Sequence, residues 1–436
     1  MEAMPSPAGA LQGVARLALR RAGATARSAA ARGLVRGLAV VGDPIAQLAS
    51  MRSADDVYSV YERVRAQGPV ARSRLGALAV TSRTLCEQVL REPAFSVQSR
   101  ADESGRPTGL GPLEGSFLEL DPPDHTRLRR IAAPAFRPRT VRSSADRIEA
   151  ILHRVLDRVA GRARFDLVAD VAAPFPITVI AELMGVPVDD PDRFAHLGHV
   201  VGQALDGVAS TAQAEQLHRA SLELAELFTG LAGDRGRSPA QDDVVGLLAA
   251  AWHDGRTTRA EYLSSCSLLL LAGFETTVNL IGNSVTALQR DRRLWESVVA
   301  DPSLAAAVVE ETLRHDPPVQ LTSRIAGADV ELAGHGVRRG SYVLTLLGAA
   351  GRDPQVYRQP DVFRLDRRGE PEHLAFSSGI HYCLGAPLAR LEGEIAVRVL
   401  AQRLPDLRVA DRPRRRAGVT LRGYETIPVA SGWPAA

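Results

Sequence analysis

Residues 376–390 read Phe376-Ser377-Ser378-Gly379-Ile380-His381-Tyr382-Cys383-Leu384-Gly385-Ala386-Pro387-Leu388-Ala389-Arg390, a glycine-punctuated loop running through a cysteine into a Leu/Ala/Arg/Glu helical pattern. That order puts Cys383 at a helix N-terminus. Backbone N–H groups and the positive end of the helix dipole lower a thiol pKa there, favouring the thiolate that a soft metal or an electrophile needs. A lone cysteine before a helix is more often a small buried hydrophobe, so other residues have to decide. A zinc reading of His381 and Cys383 is set aside, because two further ligands are lacking nearby.

The second block runs from Arg259 to Arg290, with apolar residues at helical spacing; as one helix it would be about 48 Å long and could cross the whole domain. Its middle, Cys266 to Phe274, is apolar all round and is therefore expected to be buried, Cys266 included. Ala272-Gly273-Phe274-Glu275-Thr276-Thr277 then sets a small pair, an acid and a hydroxyl where a core helix would carry aliphatics. Gly273 would let a ligand approach the backbone. The Thr276 hydroxyl can take up the Ala272 carbonyl four residues back, opening a local kink. Thr277, about 100° further round the helix, is the less suitable hydroxyl.

These blocks resemble the cytochrome P-450 family of haem-thiolate monooxygenases. The family's cysteine loop reads Phe, Gly, any, Gly, any, His or Arg, any, Cys, any, Gly; Phe376, Gly379, His381, Cys383 and Gly385 match, and Ser377 stands where glycine is usual. The resemblance implies Cys383 as the axial iron ligand, His381 as a partner of a haem propionate, and Phe376 packed near the thiolate. The family's oxygen-binding helix is matched by Ala272, Gly273, Glu275 and Thr276. An acid–alcohol relay at Glu275 and Thr276 is implied, delivering protons toward dioxygen. The Asp121–Arg130 stretch resembles the haem-contacting helix, so His125 and Arg129, four apart on one face, and Arg324 in Thr322–Ala326 are expected to bind propionates. Arginine suits this because its planar fork grips a carboxylate in two bonds. In Glu310-Glu311-Thr312-Leu313-Arg314 a surface ion pair would contribute only about 0.2–0.5 kcal/mol. The family makes such a pair a buried structural one, here Glu311 and Arg314 with Arg367 as third member. Gly351-Arg352-Asp353-Pro354 and the Leu421-Arg422-Gly423 stretch continue the same order toward residue 429.

The implied fold is mainly α with a minor β region, a single catalytic domain over residues 51–436 behind an N-terminal extension of residues 1–50. The implied cofactor is haem b, iron protoporphyrin IX, with O2 as co-substrate and no fused flavin or iron–sulfur centre. Electrons would come from a separate ferredoxin and its reductase, docking through acids onto an Arg-bearing face for which Arg127, Arg130 and Arg390 are candidates. An apolar organic substrate would be hydroxylated or epoxidised in a pocket drawn from Ser96–Gly115, Leu269–Thr276, Val319–Ser323 and Thr426–Ile427. Two alternatives stand beside this. A peroxide-driven peroxygenase usually lacks the acid–alcohol pair, and a non-catalytic helper keeping the fold would be betrayed by loss of the cysteine.

Composition agrees. The chain has 436 residues, and its 53 basic residues are all arginine, which excludes lysine Schiff-base and pyridoxal enzymes, Walker-type phosphate loops and protein kinases. A net charge of +3, spread along the chain with 5% aromatic residues, disfavours a nucleic-acid role. Cys86, Cys266 and Cys383 form no C-x-x-C pair, so a disulfide framework is excluded and a reducing cytoplasm fits best. The strongly apolar run Leu268–Phe274 is far short of the roughly 18 residues of a membrane span, and no transmembrane anchor is expected. Residues 3–42 contain no acid and six arginines among Ala, Leu, Val and Gly. The expectation there is a frayed extension, with weak membrane-surface contact by residues 10–40 as the alternative. Helical spacing predicts helices over 56–66, 146–160, 214–231, 259–290 and 304–314, a hairpin over 71–81, and strands around Gly334-His335-Gly336 within 329–347. The breaker-rich segment 96–115 predicts a long mobile loop of the lid kind.

Overall fold

The structure is a computed structural model that describes residues 33–51, 56–98, 113, 115–187, 191–203, 210–235 and 243–432. Its principal helices are α1 (Pro44–Ser50), α2 (Val57–Arg65), α3 (Arg83–Arg91), α4 (Asp124–Ala132), α5 (Ala145–Asp157), α6 (Pro174–Met184), α7 (Pro191–Gln203), α8 (Thr211–Arg235), α9 (Val244–His253), α10 (Arg259–Arg290), α11 (Arg292–Ala300), α12 (Ala305–His315) and α13 (Ala386–Arg403).

The central element is α10, over the span its periodicity predicts. Thr258 starts it with a capping box: its hydroxyl accepts from the Glu261 N–H while the Glu261 carboxylate accepts from the Thr258 N–H. Asp291 ends it and caps α11 in turn. The helix is long and apolar enough to cross a membrane by length and composition, but its apolar window lies largely inside the protein. It is a core helix. Helices α6, α7, α9, α12 and α13 pack around it, and Tyr262, Cys266, Leu270, Leu271, Ile281, Val285 and Leu288 are buried to 1% exposure or less. At about 25 cal/mol per Å² of apolar surface removed from water, each such side chain contributes roughly 1.5–3 kcal/mol against its conformational entropy.

The strands are short and numbered β1 (Ala71–Arg72), β2 (Leu78–Val80), β3 (Phe95–Ser96), β4 (Arg164–Asp166), β5 (Thr322–Ala326), β6 (Val330–Leu332), β7 (His335–Val337), β8 (Tyr342–Thr345), β9 (Arg408–Val409), β10 (Arg414–Arg415), β11 (Tyr424–Thr426) and β12 (Pro428–Ala430). A five-stranded sheet has the order β1-β2-β8-β5-β3; β2 and β8 run parallel with Leu78 opposite Val343, and the other pairs are antiparallel. The predicted hairpin over 71–81 is β1 and β2. Around Gly334 the structure departs from a simple meander: β6 pairs with β7, but β8 leaves them and enters the five-stranded sheet between β2 and β5. Alternation along β8 showed a strand but could not name its partner.

The domain boundary expected at residue 51 also shifts. Ile45 and Leu48 of α1 are 1% and 0% exposed and belong to a buried cluster with Val57, Tyr61 and Leu344, so the folded body takes in residues before 51. Residues 1–32, with most of the stretch predicted to contact a membrane surface, lie outside the described residues, as does most of the segment 96–115.

Candidate active site

The cysteine loop is shaped by two residues in the left-handed region, Ser377 at φ 64° and Gly379 at φ 71°. A Cβ on Gly379 would stand 2.9 Å from the Leu90 carbonyl oxygen of α3, so this position requires glycine. The Cys383 N–H donates to the Phe376 carbonyl at 2.8 Å, and α13 begins three residues later at Ala386 with Pro387 in its first turn. Burial pushes the partly buried Cys383 thiol up, while the N–H groups of Gly385 and Ala386 and the positive charge of Arg129 pull the other way. Coordination to a metal ion would deprotonate it outright. Phe376 is 8% exposed and lies under the Arg390 guanidinium, 4.6 Å from ring centroid to Cζ.

Beside the thiol the fold gathers four basic side chains with no acid of their own. His125 on α4 is 2% exposed, and its ring lies 4.4 Å from that of His381. Both ring nitrogens of His125 and Nε2 of His381 are buried without a hydrogen-bond partner. Arg129, one turn on from His125, donates to the Tyr382 carbonyl at 2.6 Å, and buried Arg324 of β5 donates to the Ser323 carbonyl at 2.8 Å. Among the described residues neither arginine forms an ion pair. Asp121 is near enough to be felt by Arg324, but its carboxylate is engaged by the Ser96 hydroxyl and the Val97 N–H. Burial, reinforced by the neighbouring cations, holds the His381 imidazole down at about 3; burial alone takes Arg324 down to about 10 against the pull of Asp121. Such a cluster suits anionic groups, since buried charge and buried donors without partners are otherwise costly. Two carboxylates on a flat, metal-bearing ligand held beside Cys383 would satisfy it. The residues present therefore fit haem.

The groove on α10 completes the site. In the middle of an otherwise buried helix, Ala272 is exposed and Thr276 partly so, and the Thr276 hydroxyl donates to the Ala272 carbonyl at 2.7 Å as the spacing predicted. Thr277 is buried and turned to the Gly273 carbonyl at 3.2 Å. Two expectations need correction. Gly273 is small because α6 lies against it: a Cβ there would come within 2.7 Å of Ile180 Cδ1, so helix packing and not ligand approach requires the glycine. Glu275 does not share the open face of Thr276. It is 4% exposed and turned to α7, where Arg416 donates to its Oε1 and His199 Nδ1 stands 3.5 Å away. Burial pushes the Glu275 carboxyl up, but the His199 hydrogen bond and the charges of Arg416 and His199 outweigh it and hold the group below its usual value.

Arg416 and His199 were not found from the sequence. In Asp411-Arg412-Pro413-Arg414-Arg415-Arg416 four arginines share one acid, a signal that some need distant partners; His199 carried none. The structural triad is as expected, buried and not superficial. Arg314 forks onto Glu311 with both bonds at 2.7 Å, and Arg367 Nε adds a third at 2.7 Å. Of the arginines expected to receive an electron donor, Arg130 is exposed, whereas Arg127 is paired with Asp124 and Glu261, and Arg390 with Glu310 and Glu372.

The family model for Cytochrome P-450 matches residues 279–404. Cytochrome P-450 107B1 of Saccharopolyspora erythraea is 39% identical over 397 residues, which cover 87% of this chain and 96% of that protein. The Biotin biosynthesis cytochrome P-450 of Bacillus subtilis is 35% identical over 87% of this chain and 98% of its own length. Among solved structures, ligand-free CYP164A2 of Mycobacterium smegmatis superposes with a TM-score of 0.80 at 38% identity, covering 89% of this chain and 99% of that one. P450BioI in complex with hexadec-9Z-enoic acid ligated acyl carrier protein does so at 0.79 and 35% identity, covering 86% and 98%.

Proposed function

The chain belongs to the cytochrome P-450 family of haem-thiolate monooxygenases, and we propose that it binds haem b through Cys383 and inserts one atom of O2 into an apolar organic substrate, by hydroxylation or epoxidation. Electrons come from a separate ferredoxin and its reductase in the bacterial cytoplasm, with exposed Arg130 on the docking face. The observation that carries this reading is the adjacency of the Cys383 thiol to a cradle of four basic side chains: two arginines that form no ion pair among the described residues, and two histidines with both His125 nitrogens and His381 Nε2 buried without a partner.

When bound, a thiolate-ligated haem supplies the activation of dioxygen, because an anionic sulfur ligand favours O–O cleavage. The chain's own residues do the rest. His125, Arg129, Arg324 and His381 would hold the propionates, the two arginines gaining the counter-charge they lack. Phe376 and the backbone of 376–385 shield the sulfur and fix its direction. Ala272 and Thr276 line the open face of α10, and the Thr276 hydroxyl would pass inward a proton that Glu275, turned to α7, receives from that side. Apolar residues of α10 and the 319–323 segment leave the substrate's shape to decide which C–H bond is presented. Relatives named for biotin, polyketide and acyl-carrier chemistry make a long acyl or polyketide-like substrate the first to test.

The test is optical. Reduced, carbon-monoxide-treated protein is expected to give the red-shifted Soret band of thiolate ligation, and Cys383→Ser is expected to abolish it. A normal band in that variant would exclude the assignment.

A further inference from the structure

Glu275 has two basic partners of unlike kind. Arg416 follows β10 directly, is 8% exposed, and donates Nη1 to the Glu275 carboxylate. His199 sits on α7 with half of its side chain exposed and Nδ1 3.5 Å from the same carboxylate oxygen. Helix α7 reaches so close to α10 because two glycines face it. A Cβ on Gly198 would stand 3.1 Å from the Phe274 ring, and one on Gly202 would stand 3.3 Å from Glu275 Cγ. Between these two contacts the His199 imidazole touches both the buried carboxylate and solvent.

The two partners differ in what they can do. A guanidinium does not release its proton near neutral pH, so Arg416 fixes the place and charge of Glu275 without feeding it. An imidazole takes up and gives up a proton in that range. Held ionised, Glu275 has no proton of its own to pass to Thr276 and must first receive one.

We propose that His199 is the entry point for protons from solvent and Arg416 the positioning residue that keeps the acceptor oxygen against it. The His199 Nδ1–H bond breaks as a Glu275 Oε1–H bond forms, and bulk water returns a proton to the imidazole. No electrons move in this step, and one proton enters for each one passed inward. Among the described residues, Glu275 from α10 and, beyond that carboxylate, Arg416 face His199, and exposed His196 lies one turn earlier on α7. Helix α6 meets α7 through Ile177 beside Gly198, and α8 contributes Leu217, Ala220 and Leu224 to the apolar cluster that holds Phe194, Leu197 and Val201. The inference rests on the monooxygenase reading above.

Two measurements on the haem-loaded protein test it. Histidine NMR of the resting protein at constant pH should show the His199 ring resonances displaced in Glu275→Gln, and unchanged resonances would overturn the pairing. Peroxide released per electron pair should rise in the parent protein from about pH 6 to about pH 8, whereas His199→Gln should release about tenfold more at pH 6.5 with a flat profile. A His199→Gln profile that overlays the parent would overturn the donor role. Arg416→Gln should also raise peroxide and Arg416→Lys restore coupling; equal values would remove Arg416 from the positioning role. Haem content and melting temperature serve as folding controls, and half-exposed His199 is replaced without disturbing the core. Loss of the thiolate-type spectrum in the parent would sink the monooxygenase reading, whereas a normal spectrum with an unaltered His199→Gln sinks this proposal alone.

Discussion

At the scale of single residues, Ser377 and Glu392 are held where their side chains fit poorly. Ser377 adopts φ 64°, a region in which a Cβ costs about 1–2 kcal/mol, and its buried hydroxyl has no partner. Ser377→Gly is therefore expected to stabilise the protein by about 1 kcal/mol, the glycine's greater freedom when unfolded offsetting part of the gain. Calorimetry should show a higher melting temperature with the Soret band unmoved, and a lower one would assign the hydroxyl a role. Glu392 of α13 is 0% exposed with both carboxylate oxygens unpaired, and burial alone raises its pKa well above the usual carboxylate value. A raised native pKa means the folded chain keeps a proton that the unfolded chain loses above about pH 4.3. Its contribution to stability is complete below that value and declines as pH rises toward the folded pKa. Glu392→Gln should consequently stabilise by about 1–3 kcal/mol at pH 7 and by nothing near pH 4; parallel melting curves across that range would contradict the unpaired carboxyl. Local chemistry let the sequence single out Cys383 before a helix and His125 and Arg129 one turn apart, residues that the fold gathers together. His199 and Arg416 meet Glu275 only through tertiary packing, and nothing beside them in the chain announces it.

At the scale of elements, α10 was readable end to end because its signals are local: the Thr258–Glu261 box, Asp291, and an unbroken apolar middle. Strands β1 and β3, two residues each, are too short to leave a period, and β8 finds its partners across the chain. Gly273 shows the same division, since its presence was visible but the reason lay on α6. Alanine at 273 would gain about 0.5–1 kcal/mol of helix propensity. It would also press on Ile180, whose Cδ1 and Cγ1 lie 2.7 and 2.9 Å from the new Cβ. Overpacking costs about 1–3 kcal/mol, so Gly273→Ala is expected to destabilise on balance. Ile180→Val removes the nearer atom, and the double variant should recover about 1 kcal/mol relative to the sum of the singles. Strict additivity in chemical denaturation would show that the two helices do not meet as described.

At the scale of the whole molecule, one carboxylate joins segments from both ends of the chain. Asp316, just past α12, accepts from Tyr58 Oη of α2 at 2.9 Å, from Arg415 Nη2 of β10 at 3.1 Å and from Arg422 Nε at 2.5 Å. Asn283 of α10 donates to the carbonyls of Asp316 and Arg422 at 2.9 and 3.1 Å, and Arg352 lies over the Tyr58 ring at 3.4 Å. Burial pushes the Asp316 carboxyl up, but Arg422, Arg415 and Arg352 outweigh it and hold it well below the usual carboxylate range. Asp316→Asn keeps the shape and removes the charge, leaving Arg415 and Arg422 buried at 6% and 5% side-chain exposure without their counter-ion. Breaking such a buried network costs about 3–5 kcal/mol, far more than the roughly 0–1 kcal/mol of a surface pair. A carboxyl whose native pKa is depressed stabilises fully above its unfolded value of about 3.9 and loses that contribution as pH falls toward the folded value. The melting temperature of Asp316→Asn should therefore lie several degrees below the parent at pH 7, and the gap should narrow steadily as pH drops below about 4. A gap equally wide at pH 7 and pH 3 would mean that geometry, and not charge, is what Asp316 contributes to holding the two ends of the chain together.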